Sequence, residues 1–137
     1  MKSAQEIYKN IWKLRHVAFP TILIDVLSSS GKSALTLLLN LENWDFLPPS
    51  ATLISLNLRV KLIPEQVPGA IEDPKEPLNH IVYNKNKNSI WFCSPGFYEY
   101  HEHYPEDRWE HVRGTDQGTI TWIVERACSL IDRTKLP

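Results

Sequence analysis

The sequence has few cysteines, few glycines and almost no net charge. Its 137 residues include two cysteines and five glycines, and 15 basic against 16 acidic side chains give a formal charge of −1. Two cysteines exclude a disulfide-stapled scaffold and are typical of free thiols in the reducing cytoplasm. Because the charge is balanced, we expect no nucleic-acid partner and no binding to an anionic membrane.

Long hydrophobic runs are also missing. No segment reaches the length of a transmembrane helix, and the stretch from Met1 to Glu6 lacks the apolar core of a secretory signal. Ser-Gly-Lys-Ser at 30–33 is not a phosphate-binding loop, because Val26 stands where that motif needs its first glycine. We therefore expect a single cytoplasmic domain over residues 1–137, large enough to bury a core.

Hydrophobic periodicity predicts an α+β protein with helices at both ends of the chain. Ser3 and Glu6 have capping-box spacing, and Ile7, Ile11 and Leu14 recur at helical period, which predicts a first helix. β-branched and aliphatic runs predict strands, and four prolines predict an extended surface loop. The predicted elements are helix 3–16, strands 21–27, 33–41 and 51–62, loop 64–77, strands 80–83 and 89–93, and helix 115–133.

A cysteine is the centre of the most reactive segment. Cys93 ends the apolar run that starts at Ser89, and a Ser-Pro-Gly turn follows it. Three of the five histidines come after it, at His101, His103 and His111. A thiol at the edge of a strand, near groups that polarise it, is a candidate nucleophile, whereas a free cysteine is more often a buried small hydrophobe.

The order of these features resembles the ubiquitin-conjugating enzyme (UBC) family, in particular its divergent bacterial members. That family has an aromatic-x-x-Pro-Pro signature between its second and third strands, which is similar to the segment from Trp44 to Pro49. Its active cysteine follows a polar turn and a short apolar stretch, as Cys93 follows 84–88 and 89–92. A tryptophan some fifteen residues later corresponds to Trp109.

The resemblance implies a UBC-like fold, an antiparallel meander sheet with an N-terminal and a C-terminal helix packed on it. It also implies a transferase that accepts a ubiquitin-like protein as a thioester on Cys93 from an activating enzyme and passes it to an amine of a protein acceptor. In this interpretation His101 and His103 tune the thiol, and Asp107, or Glu102 or Glu106, orients the incoming lysine. No cofactor and no metal are expected.

The family's His-Pro-Asn tripeptide, whose asparagine supports the oxyanion, does not precede the cysteine. Asn84, Asn86 or Asn88 could supply the missing amide, although polar residues in a turn often only form the turn.

The same residues are compatible with two alternatives to the transferase. Cys93, His101, His103 and His111 offer one sulfur and three nitrogens, enough for tetrahedral zinc, and on a strand His101 and His103 would share a face. Alternatively, the chain is a non-catalytic UBC-like binding module that holds a partner with its sheet and loops. The aromatic residues that could serve recognition, or could equally be core, are Trp91, Trp109, Phe97, Tyr98, Tyr100 and Tyr104.

Overall fold

The computed structural model describes residues 11–85 and 89–137. In this part of the chain, two β-sheets come first and the α-helices follow, so the predicted α+β class is confirmed. The strands are β1 Trp12–Ala18, β2 Thr21–Leu27, β3 Ser33–Asn40, β4 Ser50–Ile54, β5 Ala70–Glu72, β6 His80–Tyr83 and β7 Ile90–Cys93. The helices are α1 Tyr98–His103, α2 Trp109–Val112 and α3 Ile120–Leu130.

The first sheet is an antiparallel meander in the order β1-β2-β3-β4. Leu37 on β3 lies opposite both Ile24 and Leu53, and Leu39 lies opposite Ala51. Side chains alternate along a strand, so this register collects the apolar residues on one face of the sheet.

The second sheet has the order β5-β6-β7, with β5 parallel and β7 antiparallel to β6. Its buried residues Ile81 and Phe92 join the apolar face of the meander in one core cluster, and α3 contributes Ile123 and Ala127 to the same cluster. The two sheets and α3 therefore bury a common core. Among the described residues, no helix is both long and apolar enough to cross a membrane.

The predicted N-terminal helix is wrong where it can be checked. Residues 12–16 belong to β1, which pairs with β2 so that Trp12 lies opposite Val26 and Leu14 opposite Ile24. The rest of the prediction, residues 3–10, lies outside the described residues. Pairing with the open edge of β2 satisfies the backbone of β1, and this tertiary contact overrides a local pattern at helical period.

The third predicted strand is also shorter than expected, because β4 ends at Ile54. Ser55 begins a tight turn in which the N–H of Arg59 donates to the side-chain oxygens of Ser55 and Asn57, and Leu58 has a positive φ of 63°. The chain then returns along β4, and the N–H of Leu62 donates to the carbonyl of Leu53 at 3.0 Å.

The last helix was predicted over 115–133 but runs over Ile120–Leu130 only. Thr119 caps it by accepting a hydrogen bond from the N–H of Trp122 at 3.2 Å, and residues 116–118 form a 3-10 turn before it. The strands predicted at 21–27 and 80–83 are confirmed, and those at 33–41 and 89–93 are each one residue shorter. The predicted extended loop 64–77 contains a 3-10 turn and β5.

Only part of the Pro-Pro segment between β3 and β4 is buried. Pro48 and Pro49 are buried, and the ring of Trp44 lies 5.9 Å from that of Trp109. The indole N–H of Trp109 donates to the carbonyl of Asp45 at 3.0 Å, which ties this loop to α2. Phe46, in the same segment, is 75% exposed.

Trp109 and Phe46 make a matched pair for a stability test. Trp109→Ala removes a buried aromatic side chain and should lower the free energy of unfolding by about 3–5 kcal/mol. Phe46→Ala removes a ring that lies mostly in water, so its effect should stay within about 0.5 kcal/mol. Urea unfolding of both variants measures the difference, and equal losses would contradict this packing.

Candidate functional site

Cys93 lies inside the core, not at the surface. Its side chain is 0% exposed, and it shares the core cluster with Phe92, Phe97 and Ile123. Ser94 and Gly96 of the turn that follows are also buried, and Gly96 has a φ of +102° and lies against Ile123. The exposed thiol that thioester chemistry needs is therefore not found in this conformation.

A tyrosine neighbours the Cys93 sulfur. Burial raises the pKa of the Cys93 thiol, and a hydrogen bond with Tyr104 acts in the opposite direction. Desolvation outweighs the hydrogen bond, so the thiol form of Cys93 is favoured near neutral pH.

The carboxylate of Asp107 is held by a second tyrosine. The hydroxyl of Tyr100 donates to the Asp107 carboxylate, and the rings of Tyr100 and Tyr104 lie 5.1 Å apart. Burial and this carboxylate both raise the pKa of Tyr100. The two tyrosines are four residues apart, Tyr100 within α1 and Tyr104 directly after it, and this spacing brings side chains together on a helix. Between Asp107 and Cys93 therefore lie two tyrosines, Tyr100 bonded to Asp107 and Tyr104 bonded to Cys93, whose rings are in contact.

His101 is a structural residue in this fold. Its Nε2 accepts a hydrogen bond from the N–H of Gly96 at 3.0 Å, so its Nδ1 carries the proton that it donates to the carbonyl of Asp107 at 2.7 Å. Both nitrogens are engaged with backbone groups. His101 therefore fastens the turn after Cys93 to the segment after α1, and neither nitrogen is free to act as a base.

His103 points in a different direction. Residues two apart on a helix lie on different sides of it, unlike residues two apart on a strand. The ring of His103 stacks on Trp91, with centroids 4.2 Å apart and planes 14° apart, and its Nδ1 bonds the carbonyl of Glu99 at 2.9 Å. The prediction that both histidines tune the thiol is not supported by these contacts.

The described residues do not assemble the zinc site either. Across 11–85 and 89–137, no three His, Cys, Asp or Glu side chains are grouped so that they could hold a metal ion. His111 is exposed on α2, while Cys93 is in the core. The four ligands considered from the sequence are dispersed because their segment folds into two short helices rather than a strand.

The remaining candidates lie at the surface or outside the described part. Glu102, on α1, and Glu106, after it, are both exposed to solvent. Asn84 is exposed after β6, and Asn86 and Asn88 belong to the residues that the structure leaves undescribed.

One acidic residue that the sequence did not single out is Glu99 on α1. Its Oε1 accepts a hydrogen bond from the hydroxyl of Ser50 at 2.8 Å, whereas its Oε2 is buried and has no hydrogen-bond partner. Burial raises the pKa of Glu99. Glu99 lines a cavity of about 430 Å³ between β4 and β7, together with His103 and Trp91. Nothing in its sequence neighbourhood separates Glu99 from the other acidic residues nearby.

Comparison with known proteins adds no assignment. No family model matches the chain, and no curated protein is similar enough in sequence to count as a relative. The function must therefore be inferred from the residues and the geometry.

The buried carboxylate of Glu99 predicts a pH-dependent stability. Its folded-state pKa is raised, so its ionisation opposes folding, and the free energy of unfolding should fall as pH rises from below the ordinary Glu pKa of about 4.3 through the raised value. Glu99→Gln keeps an acceptor for Ser50 but cannot ionise. The variant should be more stable than the parent at neutral pH and lose that advantage in acid.

Chemical unfolding at a series of pH values measures this. Glu106→Gln, which changes an exposed carboxylate in the same part of the chain, is the control and should follow the parent. Parallel curves for the parent and Glu99→Gln would contradict the expectation.

Proposed function

We propose that this chain is a UBC-like protein-binding domain that holds a ubiquitin-like protein or its activating enzyme without carrying an acyl group on Cys93. The observation that carries the proposal is the complete burial of the Cys93 side chain. A protein-sized acyl group cannot reach a sulfur with no exposed surface unless the surrounding core opens. The geometry thus favours recognition over covalent transfer.

Part of the element order supports the UBC likeness, although β1 includes residues 12–16 that were expected in an N-terminal helix. A four-stranded antiparallel meander comes first, with the buried Pro48 and Pro49 before its last strand. Cys93 then ends a later strand, and helices follow it.

An exposed aromatic groove is the surface best suited to a protein partner. It is an open cavity of about 260 Å³ between the loop before β4 and the first two helices. We define the aromatic groove by Phe46, Leu47, Pro48, Tyr98, Pro105 and Trp109. Phe46 and Tyr98 present their rings to solvent there, and an exposed apolar patch of this kind is typical of an interaction site.

Charged groups surround the aromatic groove. Glu102, Arg108 and Glu110 line its edge, and Arg108 forms an ion pair of 3.5 Å with Glu110. An apolar centre with a polar rim is the usual composition of a protein–protein interface, and aromatic side chains at the centre supply most of the affinity.

A thioester transferase is the second candidate, and the hydrogen bond between Tyr104 and Cys93 favours it. This bond stabilises the thiolate relative to the thiol. Transfer would require the segment from Ser94 to Tyr104 to move away from Cys93. Phe97 and Tyr100 of this segment lie in the same core cluster as Cys93, and Tyr104 packs against that cluster.

A combined binding and charging assay separates the two candidates. The chain is mixed with a ubiquitin-like protein and its activating enzyme; non-covalent complexes are measured by calorimetry, and covalent adducts formed with ATP by denaturing gel electrophoresis with and without reductant. We expect a non-covalent complex that survives reductant and Cys93→Ala. Phe46→Ala should weaken it about tenfold or more, as expected for an aromatic anchor.

Phe19→Ala is the matched control, because Phe19 is 73% exposed but does not line the aromatic groove. It should leave the affinity unchanged. A reductant-sensitive adduct that disappears in Cys93→Ala would overturn the proposal in favour of the transferase. Equal losses from Phe46→Ala and Phe19→Ala would contradict the role of the aromatic groove.

A further inference from the structure

β1 is an edge strand of the meander with one open side. It pairs with β2 only, and no other strand lies beside it among residues 11–85 and 89–137. The carbonyl of Ile11 accepts a hydrogen bond from the N–H of Leu27 on β2 at 2.8 Å. Backbone groups alternate in direction along an antiparallel strand, so Lys13 also faces β2, whereas the N–H and the carbonyl of Leu14 face away from it. These outward groups have no hydrogen-bond partner in the described part of the chain.

The open edge of β1 is accessible to solvent. Every residue from Lys13 to Ala18 is exposed, and the apolar side chains of Leu14 and Val17 are 50% and 57% exposed. A strand edge with unpaired and accessible backbone groups can accept a further strand, whose main chain supplies the missing hydrogen bonds.

The two faces of β1 differ in chemistry. Residues that lie opposite each other on neighbouring strands share a face of the sheet. Leu14 and Val17 therefore lie on the face of the core residue Ile24, whereas Lys13 and His16 lie on the other face. A shift of register between Leu14 and His16 places the latter two residues, which are three apart, on one face. An added strand would thus meet apolar side chains on one face and basic side chains on the other.

The positive charge of the basic face is only partly compensated. Arg15 forms an ion pair of 3.0 Å with Asp25, and it also donates a hydrogen bond to the carbonyl of Leu56 at 2.8 Å. Lys13 forms no ion pair with any residue that the structure describes. Because the carboxylate of Asp25 is engaged by Arg15, the ammonium group of Lys13 is left to attract an acidic residue of a partner.

The same charges argue against a second copy of this chain on the edge. Antiparallel pairing of β1 with itself would bring the basic residues of both copies together, and like charges opposite each other destabilise a sheet. Charged side chains and bulges on edge strands are the usual protection against such self-pairing. An acidic strand from another protein meets attraction instead of repulsion at the same positions.

We propose that the open edge of β1 binds an extended acidic segment of a partner protein, which adds a fifth strand to the four-stranded meander. Aspartate or glutamate side chains of this segment lie beside Lys13 and His16, and β-branched side chains alternate with them and lie beside Leu14 and Val17. No residue of β1 lines the aromatic groove, so this site does not depend on what binds there.

A random library of short peptides displayed on phage tests the proposal. Selection on the whole protein should enrich peptides in which aspartate or glutamate alternates with β-branched residues. A synthetic peptide of the enriched sequence should shift the amide signal of Leu14 in NMR spectra, because the outward N–H of Leu14 gains an acceptor. No acidic enrichment, or peptides whose shifts all fall outside β1, would overturn the proposal.

Methylation of the peptide backbone tests the strand pairing. A strand that pairs through one edge uses only every second backbone nitrogen as a donor. Of two versions of the peptide, methylated at the odd or at the even nitrogens, one should lose binding and the other should keep it. Equal effects of the two patterns would contradict strand pairing. Self-association of the protein through β1 without peptide would assign the edge to a second copy instead.

A charge exchange tests the preference for acidic residues. Lys13→Glu should weaken binding of the acidic peptide about three- to tenfold, because a cross-strand attraction becomes a repulsion. Lysine at one acidic position of the peptide should restore binding to Lys13→Glu and weaken binding to the parent. Lys32→Glu makes the same change at an exposed residue outside β1 and should leave both affinities unchanged. Equal losses in the two variants, or no restoration by any lysine peptide, would contradict the proposal.

Discussion

The face of the meander that carries Leu37 and Leu39 is apolar and must be shielded from water. The positions of the second sheet and of α3 depend on this requirement. Both side chains are completely buried, in one cluster with Ile81 and Phe92 of the second sheet and Ile123 of α3. Burial of apolar surface is the main favourable term in folding. Because β7 contributes to this core with its own buried side chains, Cys93 at its end is drawn inside as well. The position that looks reactive in the sequence is therefore a packing position.

Burial of Cys93 changes the meaning of the polar residues that follow it. They form a network that holds the turn and the two short helices in place, with His101 bonded to Gly96 and Asp107, and Tyr100 bonded to Asp107. The surfaces left for function lie on either side of this network. One is the aromatic groove, and the other is the cavity of about 430 Å³ between β4 and β7 that Glu99 lines.

The strands were largely predictable from the sequence, whereas the segments around them were not. β2 and β6 are short runs of aliphatic and β-branched residues, and the structure has them with the predicted bounds. β1 was missed because the apolar residues up to Leu14 recur at helical period, and only the pairing with β2 decides between helix and strand. α1 was missed because its sequence, Tyr-Glu-Tyr-His-Glu-His, has no apolar stripe.

The burial of Cys93 could have been predicted from the continuous apolar run before it, since such a run is consistent with a fully buried strand. Glu99 could not be recognised, because its burial depends on β4, almost fifty residues earlier in the chain.

Selective alkylation of the native protein tests the central claim, that Cys93 is a core residue, most directly. The folded protein is treated with iodoacetamide, and the modified sites are mapped by mass spectrometry. Cys128, which is equally buried in α3, serves as the internal reference. The account predicts that both thiols react slowly in the folded protein, at similar rates, and that both react fast in urea. Rapid modification of Cys93 in the folded protein while Cys128 stays protected would contradict the account.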